Sequence, residues 1–208
     1  SSANSRSYTA MFAETKTSLM DGRGELSIAV RNDDYSDFGT NTSYTVKGLF
    51  EVMEGLTLRA SMGTGFRAPG LGDLAANTTF SADSVYDYVK CAAQGIARAD
   101  CIDEQVNTYI SANPNLGPEE SESMNIGAIY VLGNHSLAVD FFNTEIDNIV
   151  TGVSVQDIVD ASILGASFSA TLTSQGAYCE RLNGQADANL QVCYRNPING
   201  NKATVSGT

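Results

Sequence analysis

Apolar and polar residues alternate one by one along much of this chain, and that period of two limits what it can fold into. Leu26, Ile28 and Val30 are separated by Ser27 and Ala29, and Tyr44, Val46, Gly48, Phe50 and Val52 by Thr45, Lys47, Leu49 and Glu51. Leu56, Leu58, Ala60 and Met62 interleave with Thr57, Arg59 and Ser61. Met124, Ile126, Ala128 and Tyr130 interleave with Ser123, Asn125 and Gly127, and Leu137, Val139 and Phe141 with Ser136, Ala138 and Asp140. Successive side chains of an extended strand point to opposite faces, so each segment has one apolar and one polar face. The pattern predicts strands near 8–17, 25–34, 43–52, 56–66, 121–132 and 135–146, the first being the weakest.

The turns fix the register. Met53-Glu54-Gly55 reads as a three-residue hairpin loop with glycine at the left-handed position. It pairs Val52 with Leu56, Phe50 with Leu58 and Val46 with Met62, apolar on apolar, as a buried or lipid-facing sheet face requires. Gly133-Asn134 suits a two-residue type II′ turn, which pairs Tyr130 with Leu137 and Ala128 with Val139. Asp21-Gly22 marks a third short turn, between Met20 and Gly24. The link 35–41 is modest. By contrast, about fifty residues separate the fourth strand from the fifth, and more than forty follow the sixth; loops that long are usually functional.

Short turns at one end and long loops at the other are the pattern of an outer-membrane barrel, whose strands cross the bilayer with about ten residues each. A soluble sandwich would turn every 8–12 residues, which the long link contradicts. Small barrels need eight strands. Six strands, and at most the start of a seventh, therefore read as part of an all-β, antiparallel up-and-down meander. The expected organisation is a single barrel segment, 1–208, with long loops at about 67–119 and 151–200. The first residues, Ser1-Ser2-Ala3-Asn4-Ser5, carry no initiator Met or leader, and Ala203 to Thr208 has no closing element, so the chain reads as a piece of something longer.

Composition narrows the function. The 208 residues carry a net charge of -12, with 17% charged residues, one His and no Trp. Nucleic-acid binding needs a basic patch and is excluded as a general role. No run of about 18 apolar residues exists, so no membrane-spanning helix is expected. A hydrolase would need a convergent nucleophile or carboxylate pair, and none stands out; no catalytic residue, metal site or cofactor is expected. Cys91, Cys101, Cys179 and Cys193 allow three disulfide connectivities. Their spacing is not that of a zinc site and no His lies nearby. Pairing Cys91 with Cys101 and Cys179 with Cys193 closes the shortest loops and implies an oxidising, exported setting.

Several segments together carry a family resemblance. They are Arg31-Asn32-Asp33-Asp34-Tyr35, the Phe66-Arg67-Ala68-Pro69 that ends the fourth strand, Asn113-Pro114-Asn115-Leu116-Gly117-Pro118-Glu119, and Phe141 to Val150. In this order and spacing the chain resembles the barrel of a TonB-dependent outer-membrane receptor. Thr42-Ser43-Tyr44-Thr45 stands where such barrels often carry Asn-Pro-Lys. The resemblance implies a 22-stranded transmembrane barrel, lipid against the apolar strand face, and a plug domain of the same protein against the polar face. It also implies that TonB acts through parts outside this chain, and that a scarce nutrient such as a ferric siderophore, a cobalamin or an oligosaccharide is the ligand. The long loops would then be extracellular and the short turns periplasmic.

The remaining motifs have plainer readings. Gly63-Thr64-Gly65 lacks the third glycine and helix of a nucleotide loop. His135 flanks a tight turn. Asp100, Asp103 and Glu104 lack the spacing of a calcium loop. Arg31, Lys47, Arg59 and Arg67 are expected to pair with carboxylates such as Glu25, Asp33 and Glu51. Gly70 to Ala75 suits a short helix, and Val155, Ile158, Val159 and Ile163 suit an amphipathic one between Val153 and Phe168. Tyr86, Tyr88, Tyr109, Tyr178 and Tyr194 lie in the long loops, where aromatics either stack on a ligand or pack the loop onto itself. The alternative to a receptor is a soluble exported, disulfide-stapled β-sandwich that serves as a binding or adhesion module.

Overall fold

The computed structural model describes residues 5–164 and 166–208; the side chains of 162–168 lie outside that description, and with them the expected role of Ile163, as does Ser1 to Asn4. Strands β1 (Tyr8–Leu19), β2 (Gly24–Tyr35), β3 (Gly39–Met53) and β4 (Leu56–Arg67) come first. Then follow α1 (Leu71–Ala75), β5 (Thr79–Tyr86), α2 (Tyr88–Ala93) and β6 (Asp103–Ile110). The strands β7 (Glu119–Leu132), β8 (His135–Asp147) and β9 (Val150–Gly152) lead to α3 (Val155–Leu164) and α4 (Ala166–Ser174). The chain ends with β10 (Tyr178–Arg181), β11 (Leu190–Arg195), β12 (Pro197–Asn199) and β13 (Ala203–Gly207).

Two compact units result. One, comprising 6–68, 117–149 and 200–208, is a seven-stranded sheet in the order β1-β2-β3-β4-β7-β8-β13. Every neighbouring pair is antiparallel. Phe50 pairs with Leu58 and Val46 with Met62, as the hairpin register requires. Tyr130 pairs with Leu137 and Ala128 with Val139 around a turn whose Gly133 has φ +57°. At the other tip Met53, not Val52, opposes Leu56, because a bulge leaves Val52 as the extra residue. The Arg23 guanidinium donates to the carbonyls of Glu51 and Val52 at 2.9 and 2.7 Å, satisfying the groups the bulge turns out of the ladder.

Two expectations are corrected. The link 35–41 is a three-residue turn, because the polar stretches Arg31–Tyr35 and Gly39–Ser43 continue the ladder where apolar alternation has stopped. The segment from Ala203 does form an element: β13 pairs with β8 from Ala203↔Ile146 to Gly207↔Phe142. The two long links carry regular structure, with helices where the sequence suggested them, at Leu71–Ala75 and from Val155, and with short strands besides.

Those links build the second unit, 69–116 with 150–199. It holds a four-stranded sheet, β10-β11-β6-β5, and a two-stranded one, β12-β9. A capping box starts α3: Ser154 Oγ accepts from the Asp157 amide at 3.1 Å, and Asp157 Oδ2 accepts from the Ser154 amide at 3.0 Å. Val155 and Val159 on α3 then bury against Val85, Val106 and Cys193 of the sheet, while Ile158 and Ala161 join Val153, Leu172, Ala177 and Ile198.

Burial divides the units sharply. Among the described residues, each buried apolar side chain belongs to the disulfide-bonded unit. In the seven-stranded sheet the apolar face stays open: Met62 is 51% exposed, Ile126 52%, Leu137 66% and Phe141 60%. The opposite face is charged. Lys16 pairs with Glu25 and Arg31 with Asp33. Arg59 reaches Asp140 with two bonds of 2.8 and 2.5 Å, passing over Gly127 of the intervening strand. A side chain at 127 would put its Cβ 2.0 Å from Asp140 Oδ1, so the glycine is required there.

Candidate ligand platform in the disulfide-bonded unit

The two long links meet through a parallel pair. β6 comes from the first and β11 from the second, and they run side by side from Asn107↔Val192 to Ile110↔Arg195. Parallel partners need a long connection between them, so no local turn signal could announce the pairing. Each link also carries its own staple. Cys91–Cys101 ties α2 to the segment before β6, and Cys179–Cys193 joins directly opposed residues of β10 and β11, with Cα atoms 5.9 and 4.0 Å apart.

Asp87 fastens the links to each other. Its carboxylate is buried, caps α2 by accepting from the Lys90 amide at 3.1 Å, and takes two bonds of 2.6 and 2.7 Å from the Arg181 guanidinium. Arg181 also donates to the Ala188 carbonyl at 3.1 Å. This pair, and the exposed Phe80 described below, were not picked out by sequence reasoning. An acidic residue directly before a helix was the available signal for Asp87; nothing local pointed to its partner 94 residues away.

One face of the four-stranded sheet packs on α3. The other carries an aromatic row. Phe80 on β5, Tyr109 on β6, Tyr194 on β11 and Tyr178 on β10 occupy matching register positions, one per strand. Tyr109 and Tyr194 stack with ring centres 5.8 Å apart, and Tyr194 and Tyr178 at 4.9 Å. Phe80 meets Tyr109 edge-on at 5.8 Å. Burial holds the Tyr194 phenol above its ordinary pKa, with the negative charge of Glu180 and the neighbouring phenols adding to the effect. Three of the five tyrosines singled out in the sequence thus form one surface. The other two, Tyr86 and Tyr88, stack on each other at 5.8 Å, with Arg98 3.9 Å from the Tyr88 ring centre.

The conspicuous motif residues have structural partners. Arg67 ends β4 opposite Glu119 at the start of β7, and the two share a bidentate pair with both bonds at 2.5 Å. Phe66 contacts Tyr35 and Phe38; Ala68 and Pro69 carry the chain out of the sheet, and Pro118 lies just before β7. Asn113 and Leu116 are buried in the disulfide-bonded unit; the Asn113 amide side chain donates to the Pro197 carbonyl at 3.0 Å, and Pro114 follows it in the turn. Gly63 and Gly65 lie inside β4, paired with Thr45 and Ser121, not in a phosphate loop. Glu104 pairs with Lys90, and His135 is the exposed first residue of β8.

Residues 1–207 match the family model of the TonB dependent receptor-like β-barrel. Over 148 residues the chain is 27% identical to a vitamin B12 transporter, BtuB, of Photobacterium profundum; the match covers 70% of this chain and 18% of that protein. In fold it is similar to the siderophore receptor PirA of Pseudomonas aeruginosa, with TM-score 0.60 and 19% identity over 97% of this chain and 30% of that one. It is also similar to a variant of the ferric enterobactin receptor PfeA of the same organism, solved with enterobactin, with TM-score 0.62 and 20% identity over 96% of this chain and 23% of that one. The chain spans less than a third of the length of these relatives. An open antiparallel meander, an apolar face without a core and two disulfide-bonded excursions are what a stretch of such a barrel wall consists of, and this chain belongs to the TonB-dependent receptor family, as part of its β-barrel domain.

Proposed function

We propose that this chain is wall and loop of an outer-membrane receptor that binds a scarce nutrient and imports it with energy supplied through TonB. The observation that carries the reading is the partition of burial. The seven-stranded sheet keeps side chains such as Ile126, Leu137 and Phe141 open on one face, while the apolar core lies in the other unit. A patch of that size is not stable in water, and lipid hydrocarbon is the solvent that suits it. The charged face, a groove of about 530 Å³ lined by Lys16, Glu25, Lys47, Arg59 and Asp140 among others, suits the plug domain of the same protein. TonB would act through parts outside this chain.

In this reading the short turns at Asp21, Glu54 and Asn134 are periplasmic and the disulfide-bonded unit is extracellular. Its role is ligand capture, not catalysis. The relatives transport vitamin B12 or receive siderophores by name, and an oligosaccharide is the third class considered. The test is growth and uptake with the full-length gene deleted and restored, under iron, cobalamin or carbon limitation. Restoration of uptake of one nutrient, lost again when TonB is removed, is expected. Uptake that is unchanged by deletion under all three limitations would refute the proposal.

A further inference from the structure

On the outer face of the four-stranded sheet, the stacked rings of Tyr109, Tyr194 and Tyr178 cover one another's flat sides. What they leave accessible is ring edges and phenol oxygens. Among the described residues, none of the three hydroxyls has a hydrogen-bond partner within the chain. A phenol both donates and accepts. The next row on the same face is Ala82, Asn107, Val192 and Glu180, and beyond it lie Ser84 and Gln105. Asn107, Gln105 and Glu180 are exposed, while Ala82 and Val192 are too small to fill the space between the polar groups. The surface is thus a ridge of hydroxyls beside a shallow trough edged with amides.

Charge narrows the ligand further. The basic residues of this unit are Lys90, Arg98, Arg181 and Arg195. Lys90 is taken by Glu104, Arg181 by Asp87 and Arg195 by Asp83, and Arg98 lies over the Tyr88 ring. Among the described residues no cation stands in the aromatic row or in the row beside it, while Glu180 and Asp103 stand on the platform face itself. A metal chelate held by catecholate oxygens offers acceptors and negative charge; this face would repel the charge. A sugar offers hydroxyls that donate and accept in turn, with no charge to neutralise.

We infer that this face recognises a neutral polyhydroxylated ligand, an oligosaccharide, lying along the row Phe80–Tyr109–Tyr194–Tyr178. The inference rests on the receptor reading above and names the ligand class for it.

The test uses full-length receptor in detergent, applied to an array of neutral oligosaccharides, followed by calorimetric titration of any glycan retained. A ferric catecholate complex is titrated in parallel. Retention of a neutral oligosaccharide is expected. Tyr194→Ala and Tyr109→Ala should each weaken it about tenfold or more, and Tyr194→Phe, which keeps the ring stack, about threefold to tenfold by losing one hydrogen bond. Peptide mapping that finds both disulfides intact in each variant separates ligand loss from misfolding. Absence of any glycan binding overturns the inference. So does glycan binding that both alanine variants leave unchanged, or a ferric catecholate that binds and is lost in those variants. Binding is read here without transport, so a receptor that holds the glycan but fails to import it overturns the import reading alone.

Discussion

Replacing Arg181 by methionine should open the disulfide-bonded unit without touching either disulfide. In the native unit the Asp87 side chain is 2% exposed and the Arg181 side chain 16%, joined by bonds of 2.6 and 2.7 Å. Methionine keeps most of the stem's packing but leaves the carboxylate buried without its counter-charge. Removing one partner of a buried pair typically costs about 3–5 kcal/mol. The Lys90 amide still caps the stranded carboxylate, so the lower end of that range is expected, about 3 kcal/mol. At about 1.4 kcal/mol per decade this is roughly a hundredfold loss of protection against amide exchange in β6, β10 and β11. Hydrogen exchange read by mass spectrometry on the full-length receptor in detergent measures it. Adding Asp87→Asn removes the stranded charge while keeping an oxygen for the α2 cap, and should recover most of the loss. A loss below about tenfold for Arg181→Met, or a double variant as open as the single one, would refute the idea that this pair fastens the two links.

Three other outcomes follow from the geometry. Gly127→Ala should lower the temperature at which the detergent-folded receptor unfolds on gels, because the new Cβ occupies the path of the Arg59–Asp140 pair and also meets the Val139 carbonyl at 2.9 Å; adding Asp140→Ser should recover part of the loss, since it relieves the first contact and not the second. Replacing Cys179 and Cys193 by serine removes a link that closes 14 residues and should cost about 3 kcal/mol in the chain-entropy account, read as increased exchange in β10 and β11. Because the folded Tyr194 phenol is held above its ordinary pKa of 10.0, the folded unit binds its proton more tightly than the unfolded chain does. Stability should therefore decline as pH rises from about 10 to the raised value, and Tyr194→Phe should flatten that decline in an alkaline unfolding series.

The sheet of the wall was legible because its signal is local. Alternation assigns a face to each residue, and a hairpin turn assigns the partner, so Val46↔Met62 and Ala128↔Val139 follow from the sequence alone. The tip near Val52 was not, since a bulge moves the pairing by one residue without altering the alternation. β13 was missed for the opposite reason: Ala203-Thr204-Val205-Ser206-Gly207 is too short and too small to show a face. In the disulfide-bonded unit the cysteine spacing told the local pairing, and the tyrosines were visible one at a time. Their assembly into a row was not, because it depends on a parallel register between segments more than eighty residues apart, for which no turn exists to be read. Arg67 and Glu119 stood out singly, but their pairing is likewise a product of register.

Water and lipid make opposite claims about two apolar residues of the wall, and this allows the membrane reading to be tested on single side chains. Leu49 and Ile126 are both apolar, both in sheet interiors, and 43% and 52% exposed in this chain. Judged by exposure to water alone, replacing either by lysine is a surface change worth within about 0.5 kcal/mol. The register separates them. Leu49 lies between Glu25 and Arg59, on the charged face, whereas Ile126 lies between Ala60 and Phe141, on the apolar one. If hydrocarbon covers the apolar face, a lysine at 126 near the middle of β7 costs about 2–4 kcal/mol, as charged side chains do on the lipid side of a barrel at the bilayer midplane. A lysine at 49 meets water or the plug, with Glu25 beside it, and costs little. Urea unfolding of the full-length receptor from lipid vesicles gives both values. A large loss for Ile126→Lys with a small one for Leu49→Lys is the expected result. Equal losses would mean that the two faces see the same solvent, and the assignment of the apolar face to lipid would fall with them.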